Sequence, residues 1–87
     1  MMSPEERSIE DLRAVYEAEK KAGRREPQGQ LANRRVDLLR QAKTWESAEM
    51  RQKAAELIEE TARWLRWAGD KQKVAQRLNE LEELRRR

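Results

Sequence analysis

Apolar residues recur along this chain at helical spacing, and nothing alternates with period two. Ile9, Leu12 and Tyr16 repeat at i, i+3, i+7, with Val15 on the flank. Ser3 stands ahead of Pro4, with Glu6 three residues on; the hydroxyl and the carboxylate answer free N–H groups, and proline suits the first helical position. Gly23 supplies the left-handed residue that closes this element, which predicts a first helix over 4–22. Pro27 restarts the chain as a second helix over 27–43. Leu31, Ala32, Val36, Leu38, Leu39, Ala42 and Trp45 cover close to half of its circumference, so it is expected to pack on two neighbours and to lie inside the fold.

Thr44 and Ser47 then offer a fresh capping hydroxyl, which predicts a bend near Thr44. A continuous rod from Pro27 to Ala68 would exceed about 60 Å, too long for a chain of this size. The third helix, over 45–68, presents Met50, Ala54, Leu57, Ile58, Ala62 and Leu65 on one face. Gly69 reads as its stop and Asp70 as the next N-cap, after which Val74, Leu78 and Leu81, with Leu84 beside them, form the stripe of a fourth helix over 71–86. The expected fold is all-α: a compact antiparallel bundle of four short helices, one domain over 1–87.

Composition narrows the chemistry. Charged residues make up 43% of the 87 positions and no run approaches the roughly 18 apolar residues of a membrane span. The start "MMSPEERSIE" carries no leader pattern, so the chain is expected to be soluble, cytoplasmic or recombinant, and neither secreted nor membrane-bound. It has no Cys and no His, which removes disulfides, thiolate metal sites, cysteine nucleophiles and the commonest general base; no metal or cofactor is expected. Glu59–Glu60 and Glu82–Glu83 are adjacent on their helices and point about 100° apart, so they read as solvated surface rather than as a catalytic pair. Gly23 and Gly29 lack the spacing and the Lys-Ser/Thr of a phosphate loop. The chain is not expected to be an enzyme. Arg35 falls near the centre of the second helix's apolar face, where it must snorkel or pair; a Glu from the first or fourth helix is the expected partner.

Two surfaces could bind something. Trp64 lies at the border of the third helix's apolar face and Trp67 roughly opposite it, so each is either covered by the rest of the chain or an anchor for a protein partner. The other surface follows from charge. Met1 to Glu19 carries two arginines against six acids, whereas Lys20 to Lys43 carries eight bases against two acids. Around "RREPQGQLANRR", Arg24, Arg25 and Gln28 precede the second helix, and Gln30, Asn33 and Arg34 lie on its polar side together with Asp37, Arg40 and Gln41. Arg24 and Arg25 suit phosphates, and Gln, Asn and Arg suit base edges, so a nucleic-acid partner is possible; a solvated turn beside a polar face is the plainer alternative.

The loop leading into a polar helix resembles a helix-turn-helix reader, although Gly23 comes five residues after Ala18 rather than four and is followed by charge. The "SPEE" start, the "AGD" connection, the absence of Cys, His and Phe, and the Glu/Lys/Arg-rich helix surfaces resemble de novo designed helical bundles. That resemblance covers the whole chain as one of style, and implies a stable scaffold or protein-binding module; fourteen Arg to six Lys and three Trp depart from it. The length, the four-helix order and the ending "LNELEELRRR" also resemble the fifteenth small-subunit ribosomal protein family, which implies RNA binding. That family's His-rich Ser-Arg-Arg-Gly segment has no counterpart here.

Overall fold

A computed structural model describes residues 2–23, 30–64 and 71–86. They form four helices and no strand: α1 (Pro4–Lys21), α2 (Gln30–Ala42), α3 (Ala48–Trp64) and α4 (Lys71–Arg86). The local signals act as the sequence implies. The Ser3 hydroxyl accepts from the Glu6 N–H at 3.2 Å, with Pro4 opening the helix. Gly23 takes φ +76, the left-handed region that an L side chain rarely enters, just past the Ala22 C-cap.

The α2–α3 connection is a break rather than a bend. Thr44 does not cap α3; its hydroxyl turns back to the Gln41 carbonyl at 2.7 Å. Ser47 supplies the cap, accepting from the Met50 N–H at 3.2 Å, so α3 starts at Ala48 and residues 45–47 lie outside any helix. Trp45 sits half-buried in that connection against the core. Pro27, Gly69 and Asp70, on which the other predicted boundaries rest, lie outside the described residues, as do Gly29 and Leu65.

Cross-helix contacts give the direction of each element. Ser8 meets Gln41 and Asp11 meets Arg34, so α1 and α2 are antiparallel. Arg35, early in α2, reaches Ile58, late in α3, so these two helices also run in opposite directions, and Arg85 near the end of α4 joins that helix to Glu59 in the second half of α3. Tyr16 against Trp64 sets α1 and α3 running the same way. The body measures 33 × 33 × 16 Å, so it is about half as thick as it is wide.

Here α3, not α2, is the central helix: it packs on α1, α2 and α4, whereas α2 packs on α1 and α3. Its buried arc is correspondingly wide and takes in Arg51, Ala55 and Thr61 as well as Ala54, Leu57 and Ile58. Thr61 donates to the Ile58 carbonyl at 2.8 Å and Arg51 donates through one terminal nitrogen to the Trp45 carbonyl, while the buried Arg51 Nε has no hydrogen-bond partner among the described residues. Conversely, Val36 on α2 is 40% exposed rather than in the core. Leu78, predicted in the α4 stripe, is 54% exposed; α4 is anchored by Leu81 and Leu84, both buried. The shared core joins these leucines to Ile9, Leu12, Leu31 and Leu38.

Arg35 is 2% exposed, as its position on the α2 wheel demands. Its guanidinium donates to the Ile58 main-chain carbonyl at 3.5 Å, so a helix carbonyl of α3 takes part of the role expected of a glutamate.

Candidate functional site

The predicted nucleic-acid face is divided between two tasks. Gln30 and Asn33 are exposed on α2. Arg34 instead leans towards α1, 4.0 Å from the Asp11 carboxylate, and the Gln41 side-chain carbonyl accepts from the Ser8 hydroxyl at 2.9 Å. Two of the six residues of the polar row, Arg34 and Gln41, therefore tie α2 to α1. Arg24, Arg25 and Gln28 lie outside the described residues, as does Trp67 among the candidate partner anchors.

Trp64 closes the C-terminal end of α3 half-buried, its ring edge-on to Tyr16 with centroids 5.5 Å apart and planes at 76°. This T-shaped arrangement sets the positive edge of one ring against the negative face of the other. Lys20 places its ammonium 5.1 Å from the centre of the Tyr16 ring. Burial raises the Tyr16 phenol above its ordinary pKa of 10.0, and the Glu60 carboxylate pushes the same way.

One turn before Trp64 on α3, Glu60 marks one end of a groove between α1 and α3. It encloses about 590 Å³, with Met2, Ile9, Met50 and Leu57 supplying its apolar surface. On α3, Met50 and Leu57 stand roughly 160° to 180° around the axis from Glu59, taking 3.6 residues per turn. Glu59 binds Arg85, so α4 lies on the far side of α3 and leaves the groove uncovered. The adjacent pair Glu59–Glu60 is thereby split, one carboxylate facing α4 and its neighbour lining the groove.

The rim is acidic. Glu6 and Glu10 line it from α1, Glu56 and Glu60 from α3, against Arg13 and Lys53. Both cations are engaged, Arg13 with Glu10 at 3.4 Å and Lys53 with Glu49 at 3.5 Å. Among the described residues Glu6 and Glu60 have no ion pair, and Glu56 accepts only from the Gln52 amide at 3.0 Å. Sequence reading reached α3's face and Trp64 but missed the α1 wall. The available signal was the spacing of Glu6–Glu10 and Glu56–Glu60, like charges at i, i+4 that weaken each helix on its own.

Among the described residues, no cluster of acids is placed to hold a metal ion, and no helix is long and apolar enough to cross a membrane. No protein-family model, curated protein or solved structure matches the chain.

Proposed function

We propose that this chain is a non-catalytic helical module that binds another protein through the α1–α3 groove. The observation that carries the reading is the groove itself, with Met2 53% exposed and Met50 half-buried in its lining, and with half-buried Trp64 one turn beyond Glu60 on α3. Methionine adapts to different contact shapes, and a part-exposed tryptophan offers a large apolar surface at small entropic cost. The nucleic-acid reading of α2 is weaker, because Arg34 and Gln41 are committed to α1.

Selection of displayed helical peptides on the intact chain tests the proposal. Enriched peptides should lose about tenfold or more in affinity for a Met2→Lys/Met50→Lys variant and nothing for Asn33→Ala. Enrichment insensitive to the groove substitutions would refute it. A gel shift of duplex DNA or RNA at low salt, weakened by Asn33→Ala, would transfer the function to α2.

A further inference from the structure

We infer that the partner presents a basic amphipathic helix: an apolar stripe flanked on both sides by Lys or Arg. This rests on the groove being a protein-binding site and specifies its ligand. Four carboxylates, Glu6 and Glu10 on one wall and Glu56 and Glu60 on the other, outnumber Arg13 and Lys53, which pair with Glu10 and Glu49, and flank an apolar strip in which Met2 and Met50 are accessible and Leu57 is nearly buried. A helix laid in the strip meets acid on each side, so its apolar stripe at i, i+3, i+4, i+7 needs basic neighbours on both edges. From Met50 to Glu60 the α3 wall runs about 15 Å, or three turns of such a helix.

Two features make the acidity specific to this face. The chain as a whole is basic, with net charge +3, so an acidic rim runs against its average composition. The α3 wall also stacks Glu56 and Glu60 at i, i+4, a like-charge spacing that costs helix stability and that cations on a partner relieve, whereas on α1 Arg13 already pairs with Glu10 and leaves Glu6 to a partner. The same charge repels nucleic acid and anionic lipid surfaces.

Three synthetic 14-residue helical peptides with one shared leucine stripe, flanked by Lys/Arg, by Gln or by Glu, are the probes. Their binding to the full chain is read by fluorescence anisotropy at low and high salt, with circular dichroism confirming that each variant is folded. The Lys/Arg peptide should bind about tenfold tighter than the Gln peptide at low salt, the Glu peptide weakest, and the differences should shrink with salt. A Glu6→Lys/Glu60→Lys variant, altered at two exposed positions, should reverse the order of the Lys/Arg and Glu peptides. If the Gln peptide binds as well as the Lys/Arg peptide and Met50→Lys abolishes both, the groove stays a protein site and the basic preference is wrong. If no peptide binds, the groove reading itself falls. Lys/Arg binding unchanged by the charge reversal places that binding elsewhere and overturns the inference. So does a stable dimer in light scattering that the charge reversal dissolves, since the groove then belongs to a second copy.

Discussion

Against α2, helix α1 is fastened by a hydroxyl and a carboxylate, Ser8 to Gln41 and Asp11 to Arg34. Against α3, the same helix shares the buried Ile9 and Leu57, then opens into a groove whose rim charges Glu6 and Glu60 have no ion pair among the described residues. Both flanks rest on one apolar cluster, so the difference is one of finish and not of core. Polar groups used across a seam are withdrawn from binding, and polar groups left unused beside an apolar strip are available for it. That contrast moves the candidate surface from the basic face of α2, where net positive charge along the chain is concentrated, to the acidic groove.

The harshest way to break the comparison is to remove the foundation common to both flanks. Leu12 is fully buried in the shared cluster, and Leu12→Ala should cost about 2 to 5 kcal/mol of unfolding free energy in urea titration. A loss well below this range would mean that the two flanks do not rest on one core.

Much of this architecture is legible in sequence because it is set locally. Ser3 and Gly23 mark the ends of α1 through main-chain geometry that a few residues determine, and Ile9, Leu12 and Tyr16 fix its inward face by spacing alone. Val36 and Leu78 mislead because a stripe tells where an apolar face lies, not whether a neighbour reaches it. The central role of α3 is hidden for the converse reason. Arg51 and Thr61 read as surface, yet each finds a main-chain carbonyl and can be enclosed by a third neighbour. The groove depends on α4 docking beside Glu59 and not over Leu57, a choice between two sides of α3 that no single helix records.

A finer test sets one flank against the other. Arg34→Ala removes a half-exposed ion pair of the α1–α2 seam and should lower stability by at most about 1 kcal/mol, less at high salt. Glu60→Gln removes an exposed groove carboxylate with no ion pair among the described residues and relieves its i, i+4 repulsion with Glu56. Its stability should hold or rise slightly. Urea midpoints of the two variants should therefore move in opposite directions or differ in sign of salt dependence; a matching loss in both would make the groove rim as structural as the seam.

The smallest effect reads the field of the groove directly. Tyr16 is the sole tyrosine of the chain, so tyrosinate absorbance reports it alone. Its phenol is raised above the ordinary 10.0 first by burial, then by the negative charge of Glu60, with Lys20 opposing and Glu17 adding to the rise. The folded state therefore holds the proton more tightly than the unfolded chain does. The stability linked to Tyr16 is complete below the unfolded pKa of about 10, and declines as pH rises past that value and through the higher folded one. Tyr16→Phe should remove this alkaline decline while leaving the ring packed edge-on to Trp64. Glu60→Gln should bring the titration part of the way back towards its ordinary value, because burial remains, whereas Asp37→Asn on the exposed side of α2 should leave it in place. If Glu60→Gln leaves the midpoint where it was, the rim carboxylate does not project its charge along the groove, and the electrostatic case for a basic partner helix weakens with it.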